Sequence, residues 1–174
     1  MKKRILIWEL WGFAVTSLGG TLLHYLYEWL GKPIFIAPFS GVNESTFEHM
    51  KLLYWPMLLF GLIQYFFFRE RRDFFCIKLR AMLLGLSLIP LLFYTYNGVI
   101  GTSPSFVNIV IFFVAAAAAY IFEARKFILG DIICPHPRTS FTILILIGFV
   151  FFLFTFFTPA LAIFKDPIDG SFGI

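Results

Sequence analysis

The residues best suited to chemistry lie in one short stretch, 39–56, which reads FSGVNESTFEHMKLLYWP. It concentrates carboxylates, an imidazole and an ammonium in a chain of which only 14% is charged. Carboxylates and imidazoles transfer protons and bind metals, and a lysine can hold an anionic headgroup. We therefore predict a site here, with Glu44 as general base. The candidate catalytic residues are Glu44, Glu48, His49 and Lys51.

A second polar group lies upstream, where Ser17, Thr21, His24 and Glu28 share one side of a predicted helix. His24 and Glu28 are four residues apart, so they can ligate one ion or share a proton. A short connection joins this helix to the next one, which predicts that their polar faces meet in one pocket. The predicted ligands of a divalent metal such as zinc are His24, Glu28, Glu48 and His49.

Such a metal would activate a bound water, so the first hypothesis is a metal-dependent hydrolase embedded in the membrane, or a metal-binding protein. The spacing matches no standard zinc motif such as H-E-x-x-H. A small transporter or proton- or cation-coupled carrier is the second hypothesis, because ionisable residues within spans mark such paths. A structural or sensor role without catalysis is the third. Ser45 and Glu48 also match a helix capping box, which needs no other function.

Lys51 lies about two turns inside a predicted span on the same stripe as Glu44 and Glu48. At that depth its ammonium requires a carboxylate or an anionic ligand. We expect it to pair with Glu48, Glu44 or Glu28, and Lys51→Met to impair ligand binding more than folding. The alternative is that its long side chain extends to the headgroups.

The elements that must position these residues are membrane spans. The chain is 60% hydrophobic and contains 25 phenylalanines, and runs of about 20 apolar residues recur along it. We predict an all-α, polytopic bundle of five transmembrane helices forming a single domain over residues 1–174. The predicted spans are 5–30, 46–68, 74–96, 106–122 and 141–164.

Basic residues predict the orientation of this bundle. The cytoplasmic side of the five-span topology receives all but three of them, so the N-terminus is predicted inside and the C-terminus outside. The three on the outer side are Lys32, Lys51 and Lys165. Lys78 and Arg80 are expected to reach the headgroups. Cys76 and Cys134 fall on the cytoplasmic side, which predicts reduced thiols and no disulfide. Membrane lipid is the expected partner, a homo-oligomer is left open, and nothing indicates a nucleic-acid partner.

The run HYLYEWLGK, followed by PFSGVNESTFEHMK and by the ending FKDPIDGSFGI, resembles a family of small bacterial integral membrane proteins of unknown function. That family typically reads V-N-E-S-x-W-E-H-x-K, and Phe47 stands here in place of the tryptophan. The resemblance covers most of the chain and implies a multi-pass protein of the bacterial plasma membrane. It implies no activity. The positions around which it implies the family is built are Asn43, Glu44, Ser45, Glu48, His49 and Lys51.

Overall fold

The protein is described here from a computed structural model that covers residues 2–101 and 104–174. Its architecture is all-helical, and five of the helices are long and apolar enough to cross a membrane. This confirms the predicted all-α class and the predicted number of long apolar helices. The helices are α1 (Lys2–Trp29), α2 (Thr46–Phe68), α3 (Phe74–Ile100), α4 (Ser105–Leu129), α5 (Pro137–Phe156) and the short 3₁₀ helix η1 (Ala162–Phe164).

Two helix ends differ most from the predicted spans. Helix α4 continues to Leu129 rather than ending near Phe122, because the charged residue that follows, Glu123, is fully buried and paired inside the bundle. Helix α5 ends at Phe156 rather than near Phe164. Pro159 follows shortly after it, and a proline lacks the amide N–H and disfavours helical geometry at the preceding residue.

Helix α2 lies at the centre of the bundle and contacts α1, α3, α4, α5 and η1. Helix α1 packs closely against α2 and α4 because two glycines of α1 face these helices. A Cβ at Gly20 would lie 2.9 Å from the carbonyl oxygen of Leu52, and one at Gly12 would collide with Tyr120 of α4. Small residues of this kind let helix backbones approach closely. The approach brings the C-terminal half of α1, including His24, beside the start of α2.

The connection between α1 and α2 folds over the end of the bundle at which α1 ends and α2 begins, which we call the upper end. Its carbonyls accept hydrogen bonds from α2: the indole of Trp55 donates to Pro38 (2.9 Å) and the ammonium of Lys51 donates to Ala37 (2.9 Å). The backbone N–H of Tyr27 donates to the hydroxyl of Ser40 (3.0 Å). The apolar connection is therefore a packed cover rather than a solvated loop.

The prediction of two reduced cysteines is wrong, because Cys76 and Cys134 form a disulfide. Cys76 lies in the first turn of α3, and Cys134 lies in the connection between α4 and α5. Both segments are at the lower end, where α1 begins, and the fold brings them into contact although 58 positions separate them in the chain. The prediction of reduced thiols rested on the expected cytoplasmic location of both cysteines. That location does not indicate whether the two cysteines lie close together in the fold.

Candidate functional site

Three ionisable side chains meet at the upper end, and we call them the His24–Glu44–His49 cluster. His24 comes from the last turns of α1, Glu44 from the connection and His49 from the first turn of α2. The Nε2 atom of His24 lies 3.4 Å from Oε1 of Glu44, and Nε2 of His49 lies 3.7 Å from Oε2 of the same carboxylate. The two imidazole ring centroids are 5.6 Å apart. One carboxylate thus lies between two imidazoles.

The start of α2 fixes the positions of these groups. Ser45 is the N-cap, and its hydroxyl accepts a hydrogen bond from the backbone N–H of Glu48 (3.4 Å). The Glu48 carboxylate reaches back and accepts from the backbone N–H of Val42 (2.9 Å). The side chain of Asn43 accepts from the N–H of Ser45 (3.0 Å). This is the predicted capping box, except that the Glu48 carboxylate accepts from Val42 rather than from the N-cap residue Ser45. The arrangement orients Glu44 toward α1.

The hydrogen-bond partner of the His49 ring shows which ring nitrogen carries a proton. Its Nδ1 lies 2.9 Å from the carbonyl oxygen of Ser45. A carbonyl only accepts hydrogen bonds, so Nδ1 carries a proton and Nε2, which faces Glu44, is the atom that gains or loses one. The His49 side chain is 11% exposed and that of Glu44 is 33% exposed. The cluster can therefore exchange protons with its surroundings through Glu44 and His24.

Glu48 and Lys51, two of the predicted catalytic residues, form a separate buried pair. Nζ of Lys51 lies 2.7 Å from Oε2 of Glu48, which confirms the predicted pairing. The same ammonium donates to the hydroxyl of Thr155 in α5 (3.0 Å) and to the carbonyl of Ala37. Lys51 is 0% exposed, so its side chain does not extend to the surface. This pair connects α2, α5 and the covering connection.

Glu28, one of the four predicted metal ligands, is exposed on α1. Glu48 is engaged by Lys51 and by the backbone of Val42. Within residues 2–101 and 104–174, no group of three or more His, Cys, Asp or Glu side chains is arranged to hold a metal ion. The structure thus brings together His24 and His49, with Glu44 between them. The metal site with the full predicted ligand set stays a prediction.

The C-terminal tail contributes a residue that sequence analysis did not select. Asp166 is 6% exposed, and its Oδ2 accepts from the backbone N–H of Glu44 (2.8 Å). Its charge and that of Glu44 both act on His49. The amide of Asn43 also donates to the carbonyl of Gly173 (3.2 Å), so the tail folds back onto the cluster. The sequence signal was weak, because an aspartate in a turn-rich tail is usually solvated.

Asp169, the other carboxylate of the tail, is fully exposed. Hydrogen bonds from the Ser171 side chain and backbone lower its pKa. It stays ionised and takes no part in the cluster.

A cavity of about 200 Å³ adjoins the cluster between α1, α2 and α4. His24 and His49 lie at its polar end, and the rest of its lining is mainly apolar and aromatic. Tyr25, Ile109 and Phe113 line it and are each partly exposed, so the cavity opens on the side of the bundle between α1 and α4. The lining residues are Gly20, Thr21, His24, Tyr25, His49, Leu52, Ile109, Phe112 and Phe113.

The expectation for Lys78 is wrong. Its side chain does not reach the surface, because only 4% of the residue is exposed. The side chain forms an ion pair with Glu123 of α4 instead. The fourth predicted span ended at residue 122, directly before Glu123, and sequence analysis also missed Glu9, which falls within the first predicted span. An acidic residue within an apolar run was the signal that could have found both.

The fold and the cluster define a class: an all-helical chain with five helices that could cross a membrane, carrying a partly buried ionisable site at one end of the bundle. Within it, the chain belongs to a family of unknown function, DUF6512, whose model matches residues 1–174. No curated protein and no solved structure matches the chain significantly. The family membership agrees with the resemblance to uncharacterised proteins, and it leaves the function to be inferred from the site.

Proposed function

We propose that the protein spans a membrane and binds an amphipathic, lipid-like molecule in the cavity, where the His24–Glu44–His49 cluster acts on the polar head by acid–base catalysis. One observation carries this proposal: two imidazoles lie at the polar end of a mainly apolar cavity that opens on the side of the bundle. A molecule entering from lipid would keep its chains in apolar surroundings while its head meets the cluster.

Hydrolysis is the reaction class that this arrangement serves best. One group must take a proton from water as it attacks, and another must return a proton to the leaving group. Glu44 contacts both imidazoles, so the carboxylate and either ring can divide these two roles. Such acid–base groups typically contribute about 10²–10⁴-fold in rate. In this proposal Glu48 and Lys51 are positioning residues, because they form an ion pair with each other.

Filling the cavity tests the binding step. Ile109 lines the cavity and Val110 does not, yet each is 53% exposed on α4. In protein purified in mild detergent, we expect Ile109→Trp to reduce the amount of co-purifying lipid detected by mass spectrometry at least severalfold, because the indole occupies the entrance. Val110→Trp is the matched control and should retain the lipid. Equal lipid content in the two variants would contradict the proposal.

Removing the charge of Glu44 tests the chemical step. Glu44→Gln keeps the size of the side chain, so we expect lipid binding to persist while conversion of a membrane-lipid extract falls by at least about 100-fold. Glu70→Gln, at an exposed position of the lower end, should leave both unchanged. A Glu44→Gln variant that still converts the extract at the parental rate would exclude acid–base catalysis by this cluster.

A metal-dependent form of the same site is the second candidate, favoured by the way two Nε2 atoms face one carboxylate. Two imidazoles and a carboxylate are ligands that zinc accepts, at about 2.0–2.2 Å from the ion, so the side chains would have to converge further. Elemental analysis of the purified protein, with and without His49→Ala, tests it. A stoichiometric metal that is lost in the variant supports this candidate, and a metal-free parent protein removes it.

A further inference from the structure

A group of buried charged and polar residues lies in the lower half of the bundle, away from the His24–Glu44–His49 cluster. It consists of one residue from each of four helices, and none is more than 4% exposed. We call it the Glu9–Glu123 cluster. Its members are Glu9 of α1, Gln64 of α2, Lys78 of α3 and Glu123 of α4.

The contacts form a chain across the bundle. Nε2 of Gln64 donates to Oε1 of Glu9 (2.7 Å). The Glu9 carboxyl lies close enough to the Glu123 carboxyl for the two groups to interact electrostatically. The ammonium of Lys78 pairs with Oε2 of Glu123. Within the part of the chain that the structure describes, three buried oxygens of the cluster find no hydrogen-bond partner, namely Oε2 of Glu9, Oε1 of Gln64 and Oε1 of Glu123.

Among the residues that the structure describes, no contact brings a further positive charge to the two carboxyls. Lys78 is the ammonium that faces the two carboxyls, and its Nζ lies 5.5 Å from the ring centroid of Tyr120 and 5.8 Å from that of Phe74. The hydroxyl of Tyr120 is 2.7 Å from that of Thr16. Helix α5 contributes the apolar side chains of Phe141 and Leu144 near Lys78.

The charges of this cluster do not balance if both carboxyls are ionised. Two carboxylates beside one ammonium leave a net negative charge among apolar side chains, and adjacent like charges in such surroundings cannot both persist. A proton on either carboxyl removes the excess charge. It would also give the unpartnered carboxyl oxygens a hydrogen bond, and an unsatisfied buried oxygen is costly.

We propose that Glu9 and Glu123 share one exchangeable proton, which makes the Glu9–Glu123 cluster a proton-binding site within the bundle. Gln64 orients Glu9, and Lys78 keeps the second carboxyl ionised. Proton-binding groups at this depth are what a proton relay or a proton-coupled carrier requires. The site is independent of the acid–base chemistry proposed at the upper end.

Infrared difference spectroscopy of the purified protein in liposomes tests this proposal. At neutral pH we expect the carbonyl-stretch band of a protonated carboxylic acid, which shifts in D₂O because the proton exchanges. Glu9→Gln should abolish the band, because the neutral amide lets Glu123 ionise fully against Lys78. Glu70→Gln, which removes an exposed carboxylate, should leave the band unchanged.

A second substitution keeps the test decisive if Glu9→Gln impairs folding. Lys78→Met removes the ammonium that pairs with Glu123, so we expect the band to roughly double as the second carboxyl also takes up a proton. The absence of the band in the parent protein, or its persistence in a folded Glu9→Gln variant, would overturn the proposal. Loss of the band on adding sodium ions would also overturn it, because the cluster would then be a cation site.

Discussion

Lys51 shows how the surroundings of a residue change the interpretation of its chemistry. By sequence it was a candidate for holding an anionic headgroup. In the structure its ammonium has three oxygen partners, on Glu48, Ala37 and Thr155, and is fully buried. A lysine ammonium has three protons to donate, so no donor remains for a ligand. Lys51 therefore holds the upper end together rather than binding substrate.

We accordingly predict that Lys51→Met affects folding more than ligand binding, the reverse of the expectation from the sequence. Removing one partner of a buried ion pair leaves an uncompensated charge, here on Glu48, and costs about 3–5 kcal/mol. The free energy of unfolding in detergent is the measurement. Lys165→Met, at an exposed position, is the control and should change it little.

A double-mutant cycle identifies the cause. Because Glu48→Gln removes the charge that Lys51→Met leaves unpaired, the double variant should lose less stability than the two single variants added together. Additive losses would mean that the pair contributes nothing as a pair.

Helix α1 is the element that connects the two clusters. The sequence stripe assigned Thr21 and Glu28 to its polar face, but both are exposed. The face that packs into the bundle instead contains Glu9, Thr16 and Gly20, and it leads to His24 near the upper end. The helical period was correct, but the contacts with α2 and α4 determined which part of the circumference is buried.

At the scale of helices and their connections, our prediction concerns the disulfide between α3 and the segment that joins α4 to α5. A crosslink that closes a loop of 58 positions stabilises by up to about 4 kcal/mol through the entropy of the unfolded chain. We expect dithiothreitol to lower the melting temperature of the purified protein. A Cys76→Ala/Cys134→Ala variant should melt at the reduced protein's temperature and show no response to dithiothreitol. A melting temperature unchanged by reduction would show that the bundle does not depend on this crosslink.

At the scale of the whole molecule, the open question is which end faces the cytoplasm. The basic residues of the lower end favour a cytoplasmic location for it, because the positive-inside bias sets orientation. The disulfide at the same end is typical of an oxidising compartment. The basic residues occur in three separate segments of the lower end, whereas the disulfide is a single feature. We therefore propose that the lower end is cytoplasmic and that the His24–Glu44–His49 cluster lies on the opposite, outer side of the membrane.

Cysteine labelling in intact cells decides the orientation. In the Cys76→Ala/Cys134→Ala background, we expect a membrane-impermeant maleimide to label Ser171→Cys, in the tail, and not Arg72→Cys, at the lower end. Permeabilised cells, in which both positions should react, provide the control. Labelling of Arg72→Cys alone would reverse the orientation, and labelling of both in intact cells would contradict the five-span topology.

The sequence by itself determined the helix number and class, because runs of apolar residues long enough to span a bilayer are a local property of the chain. It also located the start of α2, since Ser45 and Glu48 form a cap within one turn. Only the tertiary structure decided which ionisable groups meet. Glu44 joins His24 and His49, Asp166 arrives from the tail, and Lys78 pairs with Glu123. Apart from Glu44 and His49, these partners are distant in the chain, and their meeting depends on helix rotation and close packing at glycines, which hydropathy and helical period do not encode.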